Sequence, residues 1–177
     1  MRMTHRLKVN ILLFCILQIA LYNIAGCGYT AGSLLPERIK TIAIPIFKNS
    51  ISPDSLAYQY HPGIEADITR QTIDRFLFDG TLKVIEDKDA DLVLRGELID
   101  YIKDPLRYAQ DAKTVTEYRL SLVVNASCYD TAEGDFMWKQ KIIGKWNYFT
   151  DVSEEAALAL AINDLAKNIV DRTIKDW

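Results

Sequence analysis

Histidine and cysteine are scarce in this 177-residue chain: two histidines, His5 and His61, and three cysteines, Cys15, Cys27 and Cys128. A zinc site needs three or four ligands at a recognisable spacing, and no such grouping occurs. Nucleophilic catalysis through a Ser-His-Asp or Cys-His set would have to use His61, which lies beside Pro62 with no nucleophile elbow in the sequence. A Gly-rich phosphate loop and a dinucleotide fingerprint are both missing. So is any basic excess. Lys and Arg number 21 against 24 Asp and Glu, a net charge of −3, which argues against nucleic acid as a partner. There is no internal repeat and no low-complexity stretch. These absences point away from an enzyme, a cofactor and a metal, and toward binding or assembly. What is present, 49% apolar, 25% charged and 10% aromatic residues, is the composition of one folded domain of ordinary size.

The first 26 residues lack acid altogether. Arg2, Arg6 and Lys8 precede an apolar run from Val9 to Ala25, interrupted only by Asn10, Gln18 and Asn23. A positive start, an apolar middle and small residues at a cut site are the order of a secretory signal. A spanning helix needs about 20 predominantly apolar residues, and the three amides weaken that reading. The run ends in Ile24-Ala25-Gly26-Cys27, which resembles the lipobox of bacterial lipoproteins. Small side chains let the segment enter a peptidase, and the Cys27 thiol is the atom that is acylated. Gly28 follows where lipoproteins kept in the inner membrane tend to carry Asp, which implies export to the outer membrane. Two or more acyl chains anchor a protein stably, so no transmembrane helix is required.

Removing the leader leaves 151 residues with 18 basic and 24 acidic side chains, a net charge of −6. Of the cysteines, Cys15 goes with the leader, Cys27 carries lipid, and Cys128 stands alone on an apolar strand face as a buried thiol. An internal disulfide is thereby excluded.

Residues 27–38 read as a lipidated tether and 39–177 as a single domain. Ile39 to Phe47 predicts a strand with Ile42, Ile44 and Ile46 on one face, at a sheet edge or ending at Pro45, which has no N–H. Lys48 to Pro62 reads as a loop. Helix 1 runs from near Gly63 to Asp79 with Ile64, Ile68, Thr72 and Phe76 four apart, flanked by Ile73 and Leu77, and Gly80 ends it. Strands follow at Leu82–Glu86, Asp91–Ile102 and Thr116–Tyr129. In the last, Tyr118, Leu120, Leu122, Val124, Ala126 and Cys128 alternate with polar residues, as in a sheet buried on one face. After a turn at Asp130–Gly134, Phe136 to Phe149 alternates Phe136, Trp138, Ile142, Trp146 and Tyr148 with Lys139, Lys141, Lys145 and Asn147, which forms a hairpin. Helix 2 spans Ser153 to Lys175, with Leu158, Ile162, Leu165, Ile169 and Thr173 inside. The result is an α+β two-layer sandwich: a mostly antiparallel sheet of four to five strands with two helices on one face.

Two charged groupings stand out. Glu86, Asp87, Asp89 and Asp91 lack the Gly and terminal Glu of a calcium loop and read as a solvated turn. Lys139, Lys141 and Lys145 share one polar strand face, and Arg119 or Arg95 can join them from neighbouring strands. Cations about 7 Å apart suit an anionic group such as a lipid phosphate. Lysines on a solvated face also resist edge pairing.

Several segments together resemble the LptE family: Cys27-Gly28-Tyr29, Leu35-Pro36, Ile42-Ala43-Ile44-Pro45-Ile46-Phe47-Lys48-Asn49, Pro62-Gly63-Ile64-Glu65, and Ala90-Asp91-Leu92-Val93-Leu94-Arg95-Gly96-Glu97-Leu98. Their order and total length carry the resemblance, which covers nearly the whole chain after the leader. It implies a non-enzymatic outer-membrane lipoprotein on the periplasmic side. Such a protein plugs the β-barrel LptD, helps that barrel assemble and binds lipopolysaccharide on its way to the cell surface. No local motif transfers the family's lipopolysaccharide-binding residues, so Lys139, Lys141, Lys145, Arg119 and Arg95 rest on charge and alternation alone. A one-sided polar sheet suits a polar barrel lumen, and Tyr29, Tyr58, Tyr60 and Tyr108, in predicted loops, can serve as interface anchors. An outer-membrane lipoprotein that activates cell-wall synthesis would share the leader, the acylation and the α+β domain.

Overall fold

The computed structural model describes residues 35–52, 61–86 and 89–175. The leader, Cys27, the tether up to residue 34, Tyr58, Tyr60 and Asp87 lie outside the described residues. In chain order the elements are β1 (Thr41–Ala43), β2 (Lys48–Asn49), α1 (Ile64–Asp79), β3 (Lys83–Val84), β4 (Leu92–Tyr108), β5 (Val115–Asp130), β6 (Asp135–Phe149) and α2 (Glu154–Ile174).

The strands form one sheet in the order β3-β1-β4-β5-β6, with β2 also pairing β4. β1 runs parallel to both β3 and β4, and β2 runs parallel to β4. Only β4, β5 and β6 make the expected antiparallel meander. The fold is therefore α+β with two helices and an open mixed sheet of six strands, which corrects the expectation of a mostly antiparallel sheet of four to five. The parallel pairings arise because the chain returns from β2 to β3 through α1, and a crossover of that kind brings strands back in the same direction.

Pro45 explains the broken first strand. Without an N–H it ends the ladder, so β1 stops at Ala43 and pairing resumes at Lys48. Ile42 and Ile44 are buried, whereas Ile46 is 72% exposed and leaves their face. β4 outruns its expected end at Ile102 by six residues, reaching Tyr108 through bulges around Asp100 and Arg107. Tyr108, expected in a loop, is thus the last residue of a strand.

α1 buries Ile64, Ile68, Thr69, Thr72 and Phe76. Leu77, expected to flank that stripe, is 61% exposed. Gly80 closes the helix at φ 76°, donating its N–H to the Phe76 carbonyl at 3.0 Å. α2 begins at Ser153, whose hydroxyl accepts from the Ala156 N–H at 3.2 Å, and its stripe Leu158, Ile162, Leu165, Ile169 and Thr173 is buried. Both helices contribute to one core with Leu92, Leu94, Leu98, Leu120, Leu122 and Val124. The helices therefore cover one face of the sheet.

Two glycines set how closely the layers approach. A Cβ on Gly96 would lie inside the Phe47 ring, and one on Gly144 would meet Leu165 and the Ala161 carbonyl of α2. α2 also closes the outer edge of β6. Asp164 accepts from the Lys145 N–H at 3.0 Å, and the Asn168 amide donates to the Ile143 carbonyl at 2.9 Å.

The chain enters the domain at the β5–β6 turn. Arg38 donates both guanidinium ends to the buried Asp130 carboxylate, at 3.0 and 2.5 Å. Asp91 accepts from the Lys40 N–H, the Thr41 N–H and the Thr41 hydroxyl at 2.7–2.9 Å. Far from being a solvated turn residue, Asp91 clasps the start of β1.

Candidate functional site

Alternation assigns the side chains of β4, β5 and β6 to two faces, and register aligns them in rows. On the face away from the helices, one row reads Arg95, Ser127, Lys139. The next reads Glu97, Asn125, Lys141, then Asp100, Val123, Ile143, then Ile102, Ser121, Lys145, and then Asp104, Arg119, Asn147. All five basic residues expected at the site therefore lie on this one face.

They fall into two groups. Arg95, Lys139 and Lys141 border a shallow hollow of about 520 Å³ together with Glu97, Asn125 and Ser127. Arg95 and Lys139 sit two strands apart, about 10 Å between backbones. Arg119 and Lys145 border a second hollow of about 340 Å³ with Trp146 and Asn147, and Arg119 donates to the Asn147 side chain at 3.0 Å. Between the groups runs the apolar pair Val123 and Ile143.

Sequence reasoning missed Lys48. It shares a third hollow, of about 320 Å³, with Arg95, Pro45 and Ile46, at the gap where Pro45 leaves β4 unpaired. No local pattern gives this away, because it depends on the parallel register of Lys48 against Glu97.

The described cations divide into those that meet a carboxylate and those that do not. Arg38, Arg70, Lys103, Arg107 and Lys175 all reach carboxylates. Among the described residues, the side chains of Arg95, Lys139, Lys141, Lys145 and Arg119 pair with none. Glu97, which shares the first hollow, accepts instead from the Ser50 hydroxyl at 2.6 Å. Lys139 lies over the Phe136 ring, 3.4 Å from its centroid. Phe136 was expected on the helix side with Trp138. A register shift after Cys128 turns it to the open face, where it meets Tyr129 edge-on at 5.3 Å. Trp146 keeps to the helix side but is largely exposed at the edge strand.

Other candidates resolve differently. Cys128 is buried, and burial pushes its thiol up to about 12, so it is packed and unreactive. His61 rests against the Tyr101 ring at 5.6 Å, near a polar cluster on the helix side. There Glu154 accepts from Tyr101 at 2.6 Å and from Lys103 at 2.5 Å. Burial works to raise the Glu154 pKa, but these two donors outweigh it and hold the carboxyl below its usual range. Among the described residues, no three His, Cys, Asp or Glu side chains converge as metal ligands, and no helix is long and apolar enough to cross a membrane.

Solved structures share this architecture. A hypothetical protein of Chlamydia trachomatis matches with a TM-score of 0.57 at 10% identity, over 76% of this chain and 95% of its own. A protein of Xanthomonas campestris matches at 0.56 and 12%, over 80% and 87%. PelC of Paraburkholderia phytofirmans, solved as a dodecamer, matches at 0.50 and 16%, over 82% and 96%. At such identities the likeness is one of fold. No curated protein matches the chain. The lipopolysaccharide-assembly family model LptE matches residues 39–173, from just before β1 to the last turn of α2. This chain belongs to the LptE family.

Proposed function

We propose that the protein is a non-enzymatic outer-membrane lipoprotein, anchored through acylated Cys27 on the periplasmic side, that partners an LptD-like β-barrel. It assists that barrel's assembly and holds lipopolysaccharide by its anionic groups during delivery. The observation that carries the binding role is the open sheet face, where Arg95, Lys139 and Lys141 border one hollow and outnumber Glu97, the single carboxylate that shares it and with which none of them forms an ion pair. A phosphate there would gain charge-assisted hydrogen bonds from up to three cations without displacing an existing ion pair. Ile143, exposed in the row beside them, offers apolar contact to an amphiphile. Arg119 and Lys145 form a second, smaller cationic group for the same ligand.

Replacing Lys139, Lys141 and Lys145 together by Gln tests the reading. All three are exposed, so the fold should hold while lipopolysaccharide affinity falls about tenfold or more, at about 1.4 kcal/mol per decade. Unchanged affinity in the triple variant would remove these residues from the binding site.

A further inference from the structure

The direction of each element places several chain ends together. β1, β3 and β4 start at the same end of the sheet, because they are parallel. β5 ends there, with Asp130 opposite Leu92. α1 runs into β3, so its C-terminal turn lies at this end too. α2 ends beside it: the charge of Lys175 feels those of Asp79 and Arg75. Arg38, clasped by Asp130, fixes the chain's entry at this same end.

This end carries an unpartnered apolar pair. Phe78 is 82% exposed, the most exposed large apolar side chain among the described residues, and Leu77 beside it is 61% exposed. Neither has a role in the core. Arg75 lies over the Phe78 ring, 5.5 Å from its centroid, and Lys83 begins β3 four residues after Asp79. Basic side chains whose stems flank an apolar tip are suited to the boundary between lipid headgroups and acyl chains.

We propose that Leu77 and Phe78 form a membrane-contact tip that seats this end of the domain in the headgroup boundary of the bilayer. The occupant follows from chain length and from the reading of Cys27 as the lipid anchor, on which the proposal rests. Seven residues lie between Cys27 and Leu35, eight steps of the chain with a reach of at most about 28 Å. An anchored chain thus keeps the entry end close to lipid. Asp79 and Asp171 interleave with Arg75, Lys83 and Lys175, so the contact is apolar and does not require anionic lipid.

The test uses the full lipidated protein in phosphatidylcholine vesicles containing a lipid-borne quencher. A fluorophore is placed at Asp79→Cys or, at the opposite end, at Lys113→Cys; the buried Cys128 stays unlabelled. Severalfold stronger quenching at 79 than at 113, lost in a Leu77→Ser/Phe78→Ser variant that still floats with vesicles, supports the contact. Equal quenching at both sites, or quenching at 79 that survives the double serine change, overturns it. An unquenched probe at 79 in protein that floats overturns the contact and leaves the anchor standing. Shielding at 79 only when a β-barrel partner is co-reconstituted also overturns it, in favour of a protein contact. Protein that fails to float at all overturns the anchor, and the contact with it.

Discussion

Gly96 and Phe47 should be coupled in stability, and a double-mutant cycle reads the coupling directly. Gly96 lies on the helix side of β4, and the Phe47 ring fills the space a side chain would occupy. Carbon atoms in contact sit about 3.5–4.0 Å apart, so a methyl group there displaces the ring by more than an ångström. Phe47 has nowhere to go. It is 2% exposed, and its N–H is held by the Thr69 hydroxyl at 2.9 Å. Overpacking of this kind costs about 1–3 kcal/mol, offset by about 0.5–1 kcal/mol because alanine loses less entropy than glycine in a strand. Phe47→Ala alone should cost about 3–5 kcal/mol through the cavity it leaves. Once the ring is gone, Gly96→Ala meets no obstacle and should be neutral or mildly stabilising. The predicted coupling equals the overpacking penalty, about 1–3 kcal/mol. Urea unfolding followed by tryptophan fluorescence measures all four corners, with the slope against urea held constant as a check on the two-state assumption. Coupling below about 0.5 kcal/mol, the scatter expected of independent sites, would refute the packing argument.

Four further outcomes are expected. Asp130, Asp91 and Glu154 are held below the usual carboxylate range by Arg38, by the Lys40 and Thr41 donors, and by the Lys103 and Tyr101 bonds that outweigh burial, respectively. Their stabilisation is full above the unfolded pKa near 4 and is lost as pH falls through the folded values. The urea midpoint should therefore drop more between pH 6 and pH 3 in the wild type than in Glu154→Gln, and an equal drop would show that Glu154 does not contribute. Asp111 caps the β4–β5 turn by accepting from the Thr114 hydroxyl and N–H and the Lys113 N–H, which depress it to about 2; a carboxyl titration by NMR near 4 would contradict that turn. Cys27→Ala should leave the domain folded and release it from the membrane fraction, whereas a pull-down with the anchored protein should recover a large β-barrel and not a peptidoglycan synthase.

Long, regular periodicities were legible in the sequence. β5 and α2 match the expected ranges to within a residue because their apolar sets repeat six and five times without interruption. The short strands were not. β2 and β3 have two residues each, too few for a period, and their parallel pairing is dictated by the path of the chain through α1. The last six residues of β4 carry Lys103, Asp104, Pro105 and Arg107, whose polarity hides a strand that has left the core. Alternation puts Phe136 on the wrong face because a single bulge inverts the pattern beyond it. At the site, alternation alone collected Lys139, Lys141 and Lys145. That Arg95 joins two of them, while Lys145 lies with Arg119 beyond an apolar row, depends on cross-strand register, which sequence periodicity does not encode.

The hydrogen bonds from Asp164 and Asn168 to β6 have a consequence for association. An incoming strand needs a continuous line of free backbone donors and acceptors. At residues 143 and 145 that line is already occupied by two side chains acting as a dummy neighbour. That stretch of the β6 edge is therefore closed to an incoming strand. The closed barrel proposed above as the partner would have no spare edge to offer either, so contact between the two would run through side chains and surfaces. Two such proteins can then lie tightly together, each with its own sheet ending where it ended before they met.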